Sequence, residues 1–190
     1  PPRSTLFPYT TLFRSVDYAL IVSTDAGLWA YNIGDTVRFV SLIPYRVVVS
    51  GRIKHFISAF GEHVIAKEVE EAMKHALEKS GASVNEFSVA PQTSPAEGEL
   101  PYHEWLVEFE KPPSDFEGFA NTLDASMQKQ NSYYFDLIDG KILQRLKVTS
   151  IQNGGFQGYM KSIGKLGGQN KVQRLANDRN VADGLQPYVI

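Results

Sequence analysis

The hydrophobic period of the chain changes at Ile65, and that change limits the folds open to it. Upstream, apolar residues come in short β-branched runs. From Ile65 onward, Val69, Ala72, Met73, Ala76 and Leu77 recur at the spacing of one helix face, Lys67, Glu70, Glu71, Lys74 and Glu78 take the other, and Gly81 is a stop signal. A chain that moves between the two periods must pack helices against a sheet.

The rest of the chain extends the pattern. "DYALIVS" reads as a short buried strand closed by the turn residues Thr24, Asp25 and Gly27. Residues 37–43 and 46–51 read as two antiparallel strands parted by Pro44, and residues 55–61 as another strand. "EFSVAP" and "HEWLVEFE" alternate as half-buried strands around the loop "QTSPAEGELP". "SDFEGFANTLDASMQKQ" predicts a second amphipathic helix capped at Ser114, with Phe116, Phe119, Ala120, Leu123 and Met127 inward. "YYFDLIDGKI" and "RLKVTSI" predict extended segments with a hairpin turn at Asp139-Gly140, and "GFQGYMKSIG" a short last helix. From Gly51 the order is strand, helix, strand, strand, helix, strand, strand, helix, which makes an α+β sandwich of about 130 residues.

Composition removes several function classes. The chain has 190 residues, 43% hydrophobic and 21% charged, with a net charge of −2, so no global field draws in nucleic acid or anionic lipid. Cysteine is absent, which excludes disulfides and thiolate metal sites and fits a cytoplasmic protein. His55, His63, His75 and His103 form no metal-ligand pair, and no apolar run is long enough to span a membrane. The opening "PPRSTLFPYTTLFRS" repeats "TLF" between prolines without helical or strand period. It looks like translated sequencing adapter, so residues 1–15 are expected to be non-native and the natural protein to continue upstream.

Two clusters carry candidate chemistry. In "GLWAYNIGDTVRF", Gly34 allows a turn with Asp35 at its tip, where a carboxylate suits a ribose diol. In "SGRIKHF", Arg52 and Lys54 suit sugar hydroxyls and phosphate oxygens. A plain hairpin with surface charges explains the same residues. Of the aromatic residues, Trp29 and Tyr31 flank this cluster and are candidates to line it, whereas Trp105, Tyr133 and Tyr134 are expected in the core. Near the end, "IGKLGGQNKVQRL" places Lys165 and Lys171 in a glycine-rich cationic loop.

Taken together, "YNIGDTVRF", "VSGRIKHFISAFGEHVIAKEVEEAM" and "GKLGGQNKVQRLANDR" resemble the domain junction and C-terminal end of the Gretchen Hagen auxin-responsive family, in its bacterial branch. That family comprises acyl-acid amido synthetases of the adenylate-forming superfamily. The resemblance covers residues 16–179. It implies the end of a large adenylating domain over 16–50, a hinge over 51–55, and an α+β C-terminal domain over 56–190.

It also implies activation of a carboxylic acid by ATP with Mg2+, then attack by an amino acid amine on the acyl-adenylate. Nucleic acid and membrane are not partners in that chemistry. By position, Asp35 would grip the ribose, Arg52 would be the hinge arginine, Lys54 would face phosphate, and Lys171 would be the adenylation lysine, with Lys165 second. Glu62 would serve the junction structurally. Gln173 departs from the family, which has proline before this arginine, and so puts the aim of Lys171 in question.

The family's Ser/Thr-rich phosphate loop, most of its Mg2+ ligation and its acyl pocket belong to the N-terminal domain. The chain alone is therefore expected to be inactive. An acyl-CoA ligase of the same architecture and a non-enzymatic α+β binding module remain alternatives.

Overall fold

The computed structural model describes residues 16–52, 56–165, 167 and 171–190, with the side chains of Arg52 and Phe56 left out of the description. The chain divides into two compact units, residues 1–54 and 55–190.

The first unit is an antiparallel meander of β1 (Asp17–Val22), β2 (Tyr31–Leu42) and β3 (Tyr45–Arg52). The strands on either side of Pro44 pair as predicted, across a cis Ile43–Pro44 bond. Asp17 and Arg38 face each other in register and form a bidentate ion pair, with 2.9 and 2.7 Å contacts. Tyr18, Phe39 and Tyr45 continue the sheet as an edge-to-face chain of rings. The strand predicted as buried, β1, alternates between exposed and half-buried positions. Val37 is the buried hydrophobic residue of this unit among the described residues.

The second unit is a mixed α+β fold. A two-residue ladder, β4 (Phe56–Ile57) with β5 (Val64–Ile65), leads into α1 (Ala66–Ser80). The strand predicted over residues 55–61 is cut to this ladder because Gly61 and His63 adopt positive φ, which turns the chain back. Helix α1 forms as its period dictates. Val69, Ala72, Met73 and Ala76 are buried, the Glu68 carboxylate accepts from the Ile65 amide, and Gly81 stops the helix in the left-handed region.

Strands β6 (Ser83–Gln92) and β7 (Tyr102–Lys111) pair antiparallel around the predicted loop. Helix α2 (Phe116–Gln130) is capped by Asp115, one residue beyond the predicted Ser114, because the Asp115 carboxylate is the group that reaches the Gly118 amide at 2.9 Å.

The predicted hairpin at Asp139-Gly140 does not form. Residues Ser132–Asp139 are helix α3, and residues 140–146 lead to β8 (Lys147–Ile151), which lies parallel to β7. Asn131 decides this: its backbone ends α2 on Met127, and its side chain caps α3 by accepting from the Tyr134 amide at 2.9 Å. Tyr134 is buried, as predicted, whereas Tyr133 is exposed. Helix α4 (Gly155–Ser162) is not the last, since α5 (Asn180–Leu185) and a 3-10 turn at Gln186–Tyr188 follow.

The sheet order is β6-β7-β8, with β7 central and buried on both faces. One face packs Phe87, Val89, Trp105 and Val107 against Met73, Phe119, Leu123 and Met127 of α1 and α2. The other packs Ala90, Leu106 and Ile151 against Phe156, Met160, Val181 and Leu185 of α4 and α5. No helix among the described residues is long and apolar enough to cross a membrane.

Candidate functional site

In the first unit, Gly34 and Asp35 do not form a turn. Strand β2 runs straight through them. Ala19 pairs with Thr36 and Ile21 with Asn32, so Leu20 alone faces Ile33, Gly34 and Asp35. This is an irregular bulge with three residues opposite one. Gly34 takes φ +84°, and its amide donates to the Asn32 side-chain oxygen at 2.8 Å. Bulges bend a strand and re-aim the residue beside them without ending the pairing.

On its other edge β2 keeps its ladder, with Asp35 opposite Arg52 and Thr36 opposite Gly51. A second irregularity, where β3 gains Ser50, adjoins the same point, and the Ser50 hydroxyl donates to that of Thr36 at 3.1 Å. Two of the predicted site residues are thus cross-strand partners at a doubly bulged position, and Asp35 is half-buried there. Trp29 is 88% exposed and Tyr31 52% exposed on the approach to β2. Lys54 lies outside the described residues.

The other predicted residues lie in the second unit. Lys165 is exposed immediately after α4. Its amide donates to Met160 at 2.9 Å, and the amide of Gly164, at φ +69°, donates to Lys161 at 3.1 Å. These two bonds make a Schellman stop. Gly164, read from sequence as part of the glycine-rich loop, is therefore a helix terminator.

Lys171 is exposed just ahead of a segment that joins the edge of β6, where Leu175 bridges Val89. The unusual Gln173 is held by its carbonyl, which accepts from the buried Ser88 hydroxyl at 2.7 Å. That bond uses backbone, so a proline at this position is not needed to form it.

Glu62, expected to serve the junction, has its partners inside the second unit. It is fully buried, receives the Phe60 amide at 2.8 Å, and lies 2.9 Å from His103 Nε2. Burial alone pushes its carboxyl pKa up. Hydrogen bonds from His103 and from the backbone more than offset this and hold it below the usual carboxylate value.

His103 stacks on Tyr134, whose hydroxyl donates to Asp124 at 2.7 Å. Burial and the Asp124 charge raise the Tyr134 pKa well above its ordinary value, so the hydroxyl remains a donor. Sequence reading missed the long-range partners, Glu86, Ser88 and Arg174 at the sheet edge and Glu108 at α4. Glu86, Ser88 and Glu108 sit on strands whose local pattern shows only alternation, and Arg174 sits in the segment after the glycine-rich loop.

Residues 67–180 match the GH3 family C-terminal domain, and residues 3–52 match the GH3 family central domain. The second match reaches into residues 1–15, the segment expected to be non-native, which lies outside the described residues. No curated protein matches the chain. Among solved structures, the "GH3.15 acyl acid amido synthetase" matches with a TM-score of 0.76 at 18% identity, covering 98% of this chain and 36% of that one. The "AtGH3.15 acyl acid amido synthetase in complex with 2,4-DB" matches with a TM-score of 0.70 at 18% identity, covering 94% of this chain and 34% of that one. The chain therefore spans about a third of the length of the structures it matches. With the C-terminal domain alone accounting for more than half of its residues, this chain belongs to the GH3 family.

Proposed function

We propose that the chain is the C-terminal portion of an ATP-dependent acyl-acid amido synthetase of the family's bacterial branch, working in the cytoplasm. Its substrates are a small carboxylic acid and an amino acid. The observation that carries this reading is the joint match to the family's central and C-terminal domains. The backbone pairing of Asp35 with Arg52 supports it, since it brings two of the candidate residues to one register position. The solved relative bound to 2,4-DB supports a small-molecule substrate.

In this reading Asp35 accepts from the ribose hydroxyls. Arg52 and Lys54 stand by the sugar and the phosphates, and Trp29 and Tyr31 line the nucleotide. Adenylation joins a carboxylate oxygen to the α-phosphorus and expels pyrophosphate. Charge gathers on the α-phosphate oxygens, and the Lys171 ammonium, or that of Lys165, neutralises it. The amine then attacks the acyl carbon, and AMP leaves with the bonding electrons.

In this reading Mg2+ is held mainly by the N-terminal domain of the enzyme. When bound it would draw charge from the leaving pyrophosphate.

The test is product analysis of the full-length enzyme with ATP, an aromatic or aliphatic acid, and either an amino acid or coenzyme A. An amide product supports the proposal, a thioester supports the acyl-CoA ligase alternative, and neither product with any acid tried supports a binding module. Within the amide-forming case, Asp35→Ala should raise KM for ATP by about tenfold, the loss of one charge-assisted pair of hydrogen bonds.

A further inference from the structure

The segment that leaves the glycine-rich loop is fastened to β6 by more than its backbone. The Val89 amide donates to the Arg174 carbonyl at 2.9 Å, and the Ala176 amide donates to the Val89 carbonyl at 3.1 Å. Leu175 is fully buried between these bonds. The Arg174 side chain turns back onto the same strand. Its Nη1 donates to Glu86 Oε1 at 2.5 Å and to the Phe87 carbonyl at 2.7 Å, and its guanidinium carbon stands 3.9 Å from the centre of the Phe87 ring. Glu86 Oε1 is itself held by the Phe87 amide at 3.0 Å.

From these contacts we infer that Arg174 is the positioning residue for Lys171, clamping the strand end to Glu86 and Phe87 so that the lysine reaches from a fixed point. The inference rests on the reading of Lys171 as the adenylation lysine. Lys171 lies three residues before Arg174. That much chain spans at most about 10 Å, so a shift at Arg174 is carried directly to Lys171. The clamp uses one nitrogen, Nη1, for both acceptors while the guanidinium carbon stands over the Phe87 ring. A lysine offers a point charge in place of both.

This arrangement also answers the absence of proline at position 173. Direction comes from Glu86 and Phe87 on β6 and from the Gln173 carbonyl, which Ser88 holds, in place of a fixed φ. At the loop's other end the Schellman bonds pin Gly164 and Lys165 to α4. The loop is thus tied at both feet, and Arg174 ties the foot nearer Lys171.

The test is ATP–pyrophosphate exchange by the full-length enzyme carrying Arg174→Lys, Lys171→Ala, or both. Arg174→Lys should lower kcat on the order of 10- to 100-fold while KM for ATP changes by less than about twofold, the mark of misplacement in the transition state. Lys171→Ala should lose at least as much, and the double variant should be no slower than Lys171→Ala, because a misplaced lysine and an absent one forfeit the same interaction.

Losses that multiply in the double variant overturn the positioning role. So does full exchange by Arg174→Lys when Lys171→Ala has none, and either result leaves the Lys171 reading intact. Full exchange by Lys171→Ala overturns that reading itself. Should Arg174→Lys fold poorly, Glu86→Gln, which keeps an acceptor but removes the charge, runs through the same cycle with the same criteria.

Discussion

Glu62 brings a carboxylate into the interior at the turn ahead of α1, where its partners are His103, the Phe60 amide and, through its carbonyl, Asn131. Removing one side of such an arrangement leaves the other buried without an acceptor. Glu62→Ala should therefore cost about 3–5 kcal/mol, measured by denaturant unfolding. The pH dependence has a fixed sign. The folded-state pKa of Glu62 lies below its unfolded value of about 4.5, so its contribution is complete above that pH and is lost as acid takes the solution through the lower folded value. Glu62→Gln should flatten the fall in stability below about pH 4.5, and an unchanged slope would assign that fall to other carboxylates.

At the scale of elements, α4 shows how tertiary contacts replace local signals. Its N-cap is Gly154, which has no side chain to offer, and Glu108 from β7 takes the Gly154 and Phe156 amides at 3.1 and 3.2 Å instead. A carboxylate there also meets the positive end of the helix. Glu108→Ala should cost about 1–3 kcal/mol, since buried helix amides lose their acceptor.

The opposite flank of α4 is shaped by Tyr188. A Cβ on Gly158 would stand 2.8–2.9 Å from two ring carbons and the hydroxyl oxygen of that side chain. Helix propensity favours Gly158→Ala by about 1 kcal/mol, but overpacking costs about 1–3 kcal/mol. The net effect should be destabilisation, with faster amide exchange at Gln152 and Ile190, whose bonds to Tyr188 and Ser150 hold the C-terminal segment to β8. A stabilised Gly158→Ala variant would show that the ring moves aside at little cost.

Over the whole molecule the two units differ in what they bury. The second closes its sheet at both edges, with Leu175 against β6 and Val189 against β8, and fills both faces with side chains from helices. The described strands of the first unit leave Val47, Val48 and Val49 exposed. Residues 55–190 expressed alone should accordingly unfold in one cooperative transition, whereas residues 16–54 alone should show no cooperative transition, because a three-stranded sheet without a covered face is marginal in water. Coincident unfolding curves by circular dichroism and tryptophan fluorescence, with Trp105 as the probe in the longer piece, would check the first half of that statement.

Where local physics is sufficient, the elements were legible along the chain. Helix α1, the β2–β3 pair around Pro44 and the β6–β7 pair follow from periodicity and stop residues, because burying one face requires that spacing whatever the partner is. The candidate residues Asp35, Arg52, Lys54, Lys165 and Lys171 were proposed from motifs of glycine and charge together with the family resemblance. Only the structure decided that Gly34 makes a bulge and not a turn, that residues 132–139 form a helix, and that Arg174 grips β6. Arg174 depends on partners remote in sequence, and the bulge at Gly34 on the register of β1 against β2. No local pattern records either, whereas α3 rests on the nearby Asn131 cap that an extended reading of this stretch passes over.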